Sequence, residues 1–576
     1  MKKTAFVACA TSLIALSTAF SAQAAVINGR VTDASGTIGL DGAIIKIVET
    51  GQSVTAARGG EFRLAGLSAG TYSVEISYIG ADTKIITVTL ADDDSTERSE
   101  VALVEDLRVI ENVLVIGQRG ALNSALSQQR ASDRLIAVIS ADAVGHLPDE
   151  NVAEAARRAV GVNVLNDQGE GRFVSIRGAN PNFVSTSING VRLTSPEADA
   201  RQVPLDVIDS DVLSGIIITK SLTPDLDGDT IGGNVEIQTL SGLDQDDMYL
   251  KLKAAGVYSD QVDKYGVRLS GVYANKFADD RLGVAASVAW QRRDFGSENI
   301  EVDGPDYELG ESVLYPEELE LRDYRIRRER LSTSLNLDFK ATDETTFYLN
   351  GLYSDFKDQE FRSRVENKFA DAEFNADASN GTTAVFSATE DDEFEVDRDS
   401  KDRLEEQIIY SVIGGAKYES GAVTADWSIS YAYAEEAEPN RIDAGFRAKF
   451  DSGLFGVNVA DPIRPVPSFP DSDAEAAYFD AGNYEFDSLE LTNGLSKDDE
   501  WAFASNFRYD LDLFGGPGYI KTGAKVRLRQ KSYNLDLQVY DGFDGDDLLL
   551  DEFGRSVDYS LGRIGTVPDA LAIRDA

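Results

Sequence analysis

The chain has 576 residues, and its 99 acidic against 55 basic side chains give a formal net charge of −44. Because nucleic acid and anionic headgroups are bound through clustered lysine and arginine, this balance argues against either as the main partner. No apolar run reaches the roughly 20 residues that a helix needs to cross a bilayer, so a membrane role would have to use β-strands. Several domains are expected at this length.

The N-terminus has the pattern of an export signal. Lys2 and Lys3 precede the apolar stretch Ala5–Phe20, and an A-x-A signal predicts cleavage between Ala24 and Ala25. The alternative, an anchoring helix, would need a longer apolar run. We therefore expect the protein to leave the cytoplasm.

Residues 27–103 alternate in short runs separated by glycine-rich turns. The runs are INGRVTD, GAIIKIVE, EFRLAGL, TYSVEISYIG and KIITVTL. Short strands at regular spacing predict an all-β sandwich. The acidic sequence ADDDSTERSE, residues 91–100, is interpreted as a solvated connection.

A single β-prone segment, ENVLVIGQR (Glu111–Arg119), follows between polar flanks, and Asn123–Ser132 is interpreted as a polar linker. The segment has no obvious hairpin partner. An unpaired strand on a tether suits β-augmentation, in which it adds to the sheet edge of another protein. The alternative is that it forms the last strand of the sandwich.

A mixed α/β unit comes next. Pro148 suits a first helical turn and Gly161 a left-handed stop, which predicts a helix from Pro148 or Asp149 to Val160. Short strands are predicted around it at Val138–Ser140, Asn163–Leu165, Arg172–Arg177, Ser185–Asn189 and Gly215–Thr219.

The stretch SLTPDLDGDTIGGNVEIQT (Ser221–Thr239) separates two patterns of sequence. Its proline and glycines predict turns, and Asn234–Thr239 alternates as a short strand would. The aspartates at 225, 227 and 229 resemble the start of a calcium loop, but no bidentate glutamate follows. A turn between two domains is the better interpretation.

From about Met248 the sequence repeats longer alternating segments. In Leu282–Arg293, for example, apolar side chains occupy one face and small or polar ones the other, as in an outer-membrane barrel. The nine predicted strands are Tyr249–Ser259, Tyr265–Lys276, Leu282–Arg293, Leu331–Lys340, Thr346–Lys357, Gln407–Tyr418, Val423–Glu435, Glu500–Leu511 and Tyr519–Lys531.

The connections between these strands support the same interpretation. Short turns alternate with long acidic stretches at 294–330, 358–406 and 436–499, as expected of short periplasmic turns and long outer loops. Aromatic side chains suit interfacial girdles or ordinary packing; they are Trp290, Phe295, Tyr348, Tyr431, Tyr433, Trp501, Phe503 and Phe507.

Catalytic and metal-binding patterns are not recognised. Cys9 is the single cysteine and lies in the export signal, and His146 is the single histidine. We find no nucleophile elbow, zinc-spaced histidines or distinct carboxylate pair. We therefore expect no internal disulfide, no cofactor, no metal and no enzymatic activity, and a secreted hydrolase is disfavoured.

Three motifs, VSIRGANP (Val174–Pro181), SINGVRL (Ser187–Leu193) and LTPDLDGDTIGGNVEIQT, resemble the plug domain of TonB-dependent outer-membrane receptors, in the subgroup found in alphaproteobacteria and xanthomonads. The sandwich resembles the carboxypeptidase regulatory-like domain that often precedes such plugs. The motif residues to which the resemblance assigns a structural or gating role are Arg177, Gly178, Asn189, Gly190, Arg192, Pro224, Asp227, Gly228, Asp229, Gly232 and Gly233.

The resemblance also implies a partner. A segment placed like ENVLVIG is the TonB box, which binds the periplasmic protein TonB and its inner-membrane energising complex, although Ile116 replaces the commoner threonine. Arg177 and Arg192 lie among apolar strand residues, which is compatible with breakable ion pairs to carboxylates on the barrel wall and equally compatible with ordinary structural pairs. The TonB-binding residues are predicted to be Glu111, Asn112, Val113, Leu114, Val115, Ile116 and Gly117.

The predicted fold is therefore mainly β. It consists of a signal peptide (1–24), a sandwich (25–105), a TonB box and linker (106–128), a small mixed α/β plug (129–241) and the first part of an antiparallel transmembrane β-barrel (242–576). Family barrels have more strands than this chain supplies, so we expect either an N-terminal part of a longer receptor or a truncated gene product.

The function that the resemblance implies is import of an external ligand through the outer membrane, in contact with its lipid. Oligosaccharides are the preferred substrate class, and siderophores or other iron chelates are the alternative. A surface adhesin or scaffold is the competing class, and it would not need Glu111–Gly117. The sequence identifies no substrate-contacting residue.

Overall fold

The computed structural model describes residues 25–36, 38–92, 95–104, 115–140, 149–224, 226–245, 247–309, 313–513, 516–542 and 548–576. The predicted export signal, Glu111–Leu114, His146 and Pro148 lie outside the described residues. Within them, no helix is both long enough and apolar enough to cross a membrane.

The N-terminal unit is the β-sandwich that the sequence predicts. One sheet has the strand order β4-β1-β7 and the other β3-β2-β5-β6. Ile27, Ile45, Val74 and Ile76 are fully buried between them. The strands are β1 (Ala25–Thr32), β2 (Ile44–Ile47), β3 (Ser53–Thr55), β4 (Glu61–Leu67), β5 (Gly70–Ser77), β6 (Lys84–Leu90) and β7 (Thr96–Ala102).

The structure corrects the interpretation of residues 91–100 as a connection. Thr96–Ala102 is strand β7, which pairs in parallel with β1 from Val26↔Thr96 to Thr32↔Ala102. Only Val101 of this strand is buried, because most of its side chains face solvent. The polar composition of this segment therefore does not indicate a strand, although its backbone pairs in parallel with β1.

The structure also corrects the strand and linker predicted after residue 110. Val115–Ala131 is one helix, α1, so Val115, Ile116 and Gly117 lie in its first turn. The segment is rich in alanine, leucine, glutamine and arginine, which favour helix over strand. Ser127 is buried against the sandwich, where its Oγ accepts a hydrogen bond of 3.3 Å from the backbone N–H of Ile79.

The mixed α/β unit, called the plug below, contains a five-stranded sheet of order β12-β11-β14-β13-β8 and a β9–β10 hairpin. Its elements are β8 (Ile136–Ser140), α2 (Val152–Ala156), β9 (Val162–Asp167), β10 (Glu170–Ile176), β11 (Val184–Ile188), β12 (Val191–Arg192), β13 (Gly215–Thr219) and β14 (Gly233–Gln238), with short 3-10 turns at Pro181–Phe183, Leu205–Val207 and Ser210–Val212.

The plug helix is shorter than predicted. Asn151 caps it by accepting a hydrogen bond of 3.0 Å from the backbone N–H of Glu154. After Ala156 the backbone tightens, since Ala159 N–H bonds to the carbonyl of Ala156, three residues back. Gly161 then adopts the expected left-handed conformation, with φ of 74°.

A nine-stranded antiparallel sheet, called the wall below, follows the plug. All nine predicted strands are present in it. They are β15 (Tyr249–Ser259), β16 (Lys264–Phe277), β17 (Leu282–Leu309), β18 (Leu314–Lys340), β19 (Thr345–Lys368), β22 (Phe394–Ser420), β23 (Val423–Phe450), β26 (Glu485–Leu513) and β27 (Gly516–Tyr540).

Most of these strands run far beyond their predicted ends. Large parts of the predicted acidic loops 294–330, 358–406 and 436–499 are strand. Opposite charges face one another across the strand tails, as in Lys357–Glu406 at 2.6 Å and Arg327–Asp294 at 2.9 Å. Such cross-strand pairs stabilise a sheet that has no apolar face. The loss of apolar alternation in the sequence therefore does not mark the end of these strands.

The outward face of the wall carries an apolar band near the short turns. Its members include Leu252, Leu269, Val288, Leu335, Leu349, Val412 and Ile429, all largely exposed. A strand of 28 residues such as β17 spans about 90 Å at 3.3 Å per residue, whereas a bilayer core is about 30 Å thick. The tails therefore extend well past any lipid-facing segment.

Some of the aromatic side chains considered for a girdle pack against one another. Tyr410, Tyr431, Tyr433 and Trp501 pack together, with ring centroids 4.8–5.9 Å apart. Phe295, by contrast, lies on the inner side of the wall. The guanidinium carbon of Arg293 lies 4.3 Å from the centroid of the Phe295 ring. The second interpretation of these aromatics, ordinary packing, applies there.

The remaining segments form a small cap at the far end of the strand tails. Phe386, Phe394, Phe455, Tyr478 and Tyr484 are almost fully buried in its core. The cap contains β20 (Glu373–Phe374), β21 (Thr383–Ala388), β24 (Gly453–Asn458), β25 (Val466–Ser468), β28 (Gly554–Ser556), β29 (Thr566–Pro568), α3 (Ser472–Phe479), α4 (Leu550–Phe553) and α5 (Ala570–Asp575).

Candidate functional site

A cavity of about 540 Å³ lies between the plug and the inner face of the wall. The plug contributes the tip of the β9–β10 hairpin and the loop after β12. The wall contributes inward-facing side chains of β18, β19, β22, β23 and β27. The lining residues are Asn166, Asp167, Gln168, Arg172, Phe173, Glu197, Ala198, Asp199, Arg322, Tyr324, Glu360, Arg362, Lys401, Arg403, Glu405, Glu436, Glu438 and Tyr533.

The hairpin tip is held by a two-residue turn. Gln168 and Gly169 both have positive φ, 42° and 86°, as a type I′ turn between twisted strands requires. Arg328 then fixes Gln168 from the wall, because its Nη2 donates a hydrogen bond of 2.7 Å to Gln168 Oε1. The tip therefore stands at a fixed position beneath the cavity.

The cavity is highly charged, with seven carboxylates and five cations among its lining residues. Most of these charges neutralise one another. Arg172 of the plug contacts Glu197 at 2.8 Å and Glu405 of the wall at 3.1 Å. Arg403 contacts Glu360 at 3.2 Å and Glu405 at 3.1 Å. The result is a polar surface with both donors and acceptors of hydrogen bonds.

Glu170 joins the plug to the wall below the cavity. Its carboxylate contacts Arg328 at 3.0 Å and Arg330 at 3.3 Å, and it also pairs with Arg293. Burial raises the pKa of Glu170, but the guanidiniums of Arg328, Arg330 and Arg293 outweigh it and hold the pKa at about 2. Glu170 is therefore ionised and tightly paired at any physiological pH.

A second contact of the same kind lies at the 3-10 turn that contains Asp211. Arg268 of the wall contacts Asp209 at 2.6 Å and Asp211 at 3.0 Å, and Lys253 contacts Asp211 at 3.2 Å. In these contacts the plug supplies the carboxylate and the wall supplies the cation.

Another plug carboxylate, Asp206, differs from Glu170, Asp209 and Asp211. It is fully buried, and neither of its oxygens has a hydrogen-bond partner in the described part of the chain. Burial raises its pKa to about 7, although Arg172, Arg328 and Arg330 act in the opposite direction. Asp206 is therefore protonated below neutral pH and ionises around pH 7.

Of the two interpretations of Arg177 and Arg192, the structure agrees with ordinary structural contacts and not with partners on the wall. Arg177 has a φ of 55° in the turn after β10, and it donates a hydrogen bond of 3.2 Å to the carbonyl of Lys220, within the plug. Arg192 contacts Asp229 at 2.6 Å, also within the plug. At Glu170, Asp209 and Asp211 the plug supplies the acid and the wall the cation. The pair of Arg172 with Glu405 has the opposite polarity.

The acid-rich turn after Pro224 is explained by ion pairs. Asp227 contacts Lys525 at 3.3 Å and Arg527 at 3.1 Å, both on β27. Asp229 contacts Arg192 and Arg201 of the plug. Burial raises the pKa of Asp229, but these arginines lower it to about 2. The turn therefore attaches the plug to the wall. This agrees with its interpretation as a turn between two domains rather than as a calcium loop.

The other motif residues shape the plug backbone. Asn189 and Gly190 form the turn between β11 and β12, with φ of 48° and 83°. A Cβ on Gly233, whose φ is 130°, would lie 2.7 Å from the carbonyl oxygen of Thr219, and one on Gly232 would lie 2.9 Å from that of Phe183. Gly178 and Gly228 have open space around them.

The sandwich is docked at the end of the wall that carries the short turns. Arg58 pairs with Asp244, on the connection between plug and wall, and donates a hydrogen bond of 3.1 Å to Ser214 Oγ of the plug. Arg63 donates to the carbonyl of Gly421, in the β22–β23 turn. The sandwich therefore contacts both plug and wall.

Comparison with known families finds two matches. Residues 128–234 match the TonB-dependent Receptor Plug Domain, and residues 26–104 match the Carboxypeptidase regulatory-like domain. A comparison of the sequence with the curated proteins gives no significant match.

Solved structures of low similarity are also found. A mutant of the ferric enterobactin receptor of Pseudomonas aeruginosa, in complex with enterobactin, is 11% identical over 69% of this chain and 78% of its own, with a TM-score of 0.30. The outer membrane transporter YddB of Escherichia coli is 10% identical over 72% and 76%, with a TM-score of 0.29. The siderophore receptor PiuA of Acinetobacter baumannii is 10% identical over 70% and 62%, with a TM-score of 0.28. The chain therefore contains a TonB-dependent receptor plug domain, preceded by a carboxypeptidase regulatory-like domain and followed by an antiparallel β-sheet.

Proposed function

We propose that the protein binds an external oligosaccharide in the cavity above the plug and imports it through the outer membrane by TonB-coupled movement of the plug. The observation that carries this proposal is the cavity itself, which is lined by the tip of the plug hairpin and by the wall. A ligand bound there touches the element that has to move.

The chemistry of the lining supports a hydroxyl-rich ligand. Sugar hydroxyls both donate and accept hydrogen bonds, and the paired carboxylates and guanidiniums of the cavity offer both functions at fixed positions. Phe173, Tyr324 and Tyr533 add aromatic surface to the same lining. An apolar ligand would leave these charged groups unsatisfied.

The orientation follows from the docked sandwich. We assign the sandwich, the short turns and the predicted TonB box to the periplasm, and the strand tails and cap to the outside. The division proposed from the sequence, with boundaries at 25–105, 106–128, 129–241 and 242–576, agrees with this assignment. The apolar band of the wall then faces outer-membrane lipid.

The predicted TonB box overlaps the start of α1. Val115, Ile116 and Gly117 lie in its first turn, so binding as an added strand requires that turn to unwind. Because α1 continues directly towards β8 of the plug sheet, a pull on Glu111–Gly117 reaches the plug through this helix.

Release of the plug then requires the ion pairs of Glu170, Asp209 and Asp211 with the wall to separate. Buried ion pairs suit this role, because water that enters the gap compensates the separated charges. We therefore assign to these contacts the latch function that the sequence analysis considered for Arg177 and Arg192.

The test is growth on single carbon sources and uptake of labelled ligands by cells that carry or lack the gene. We expect loss of growth and uptake for one or more oligosaccharides. A defect confined to iron chelates would replace the substrate class, and no uptake defect for any ligand would favour a non-transporting adhesin.

A further inference from the structure

Lys401 is the cation of the cavity whose charge is least well paired. It lies on β22, faces inward and lines the cavity. Its nearest carboxylate oxygen is Asp443 Oδ1, at 3.9 Å, and within the described residues its ammonium makes no hydrogen bond. An ammonium has three N–H donors, so Lys401 has donors to offer a ligand.

The other cations of the lining have close partners. Arg362 contacts Asp399 at 2.6 Å, Arg322 contacts Glu301 at 2.6 Å, and Arg172 contacts Glu197 at 2.8 Å. Asp443 is itself held by Arg441, at 2.6 Å. Lys401 therefore shares its one distant carboxylate with a closer competitor.

The residue opposite Lys401 is also a cation. Arg362 on β19 is its direct cross-strand partner, and both side chains line the same cavity. Like charges directly opposite each other destabilise a sheet unless an anion lies between them. The buried Nε of Arg362 has no hydrogen-bond partner in the described residues, so Asp399 does not use every donor of this guanidinium.

The two ends of the cavity differ in charge. Lys401 and Arg362 lie at the end away from the plug, whereas Glu405 and Glu436 lie nearer to it. Glu436 is held by Gln407, whose Nε2 donates at 2.6 Å, and Gln407 is six residues from Lys401 along β22. This spacing corresponds to about 20 Å. An anionic group therefore fits at the Lys401 end, where the ammonium has no close carboxylate partner.

We propose that Lys401, assisted by Arg362, binds an anionic group at the outer end of the ligand. Resting on the function proposed above, this makes the substrate an acidic oligosaccharide, with one terminal carboxylate at Lys401 and hydroxyls towards the plug. A terminal sulfate offers the same chemistry, and the experiment distinguishes the two.

The test is calorimetric titration of the full chain in detergent micelles. The probes are a hexuronate-terminated oligosaccharide, its neutral hexose-terminated counterpart, its sulfated counterpart and ferric citrate as an anion that is not a sugar. The variants are Lys401→Met and Lys401→Arg. Lys449→Met is the matched control, because Lys449 is half exposed and does not line the cavity.

We expect the wild type to bind the uronate probe at least tenfold more tightly than the neutral one. Lys401→Met abolishes this preference while neutral binding changes less than twofold, Lys401→Arg retains most of it, and Lys449→Met leaves it intact. A preference for sulfate over carboxylate changes the anion while retaining the site.

Equal binding of acidic and neutral probes, or a preference that survives Lys401→Met, overturns the inference. If ferric citrate binds in a Lys401-dependent way and no sugar binds, the anion site is retained but the proposal of an oligosaccharide substrate is overturned. If neither ferric citrate nor any acidic sugar binds in a Lys401-dependent way, the anion site is wrong.

Discussion

Glu170 of the plug and Arg328 of the wall face each other at 3.0 Å in a nearly water-free contact, with side chains 6% and 2% exposed. They belong to different units and are brought together only when the wall closes around the plug hairpin. Because Arg328 also holds Gln168 at the hairpin tip, this pair connects the base of the cavity to the attachment of the plug.

Glu170→Gln is expected to loosen the plug. The change leaves Arg293, Arg328 and Arg330 with less compensating charge, and breaking a buried ion pair costs about 3–5 kcal/mol. The measurement is the urea midpoint of the protein in micelles, together with entry of a large antibiotic into cells. Glu390→Gln, at an exposed position, is the control. An unchanged midpoint would show that Glu170 is no latch.

Asp206 is expected to make stability depend on pH. Its pKa rises from about 3.9 unfolded to about 7 folded, so its contribution is complete below about pH 4 and is lost as the pH rises through 7. Relative to the wild type, Asp206→Asn should gain roughly 4 kcal/mol between pH 4 and pH 8. Urea titrations of both proteins measure this difference. A difference independent of pH would refute the assignment.

Gly233→Ala is expected to destabilise the plug by about 2–4 kcal/mol, because its φ of 130° excludes a side chain and the new Cβ would meet the carbonyl of Thr219. Gly228→Ala is the matched control, since a Cβ there has open space. Thermal unfolding followed by circular dichroism compares the two. Equal effects would mean that the Gly233 conformation is not required.

Loss of the sandwich contacts is expected to expose β4. The double change Arg58→Ala and Arg63→Ala removes the bonds to Asp244 and Gly421. Amide hydrogen exchange in Glu61–Leu67 should become faster, while exchange in the sandwich core stays slow. Arg98→Ala, on exposed β7, is the control. Exchange unchanged in the double variant would show that the docking depends on other contacts.

The fold was predictable where side chains alternate between apolar and polar. Tyr249–Ser259 has the same bounds in prediction and structure, because Leu250 and Leu252 face outward while Lys251 and Lys253 face inward. The tails of β17 to β23 are not evident from the sequence, because they lack apolar alternation and are paired by opposite charges across neighbouring strands. Hydrophobic periodicity alone does not predict such strands.

The site was less predictable than the fold. The turns at the motif glycines were predictable, because backbone geometry depends on local sequence. The partners of Glu170 are on average more than a hundred residues away along the chain, so no local pattern pairs them. One signal was available: Arg328 and Arg330, two residues apart in a strand, must face the same side. Two neighbouring cations on one face of a strand indicate a carboxylate partner, and Glu170 of the hairpin is that partner.

The central claim, TonB-coupled import, is tested most directly by energised uptake. Cells carrying the intact gene are compared with cells in which Val113→Pro and Val115→Pro remove backbone donors from the proposed pulled segment. We predict that ligand still binds at the surface while accumulation inside falls at least tenfold, to the level of cells with a dissipated proton gradient. Undiminished accumulation in the double-proline variant would contradict the account.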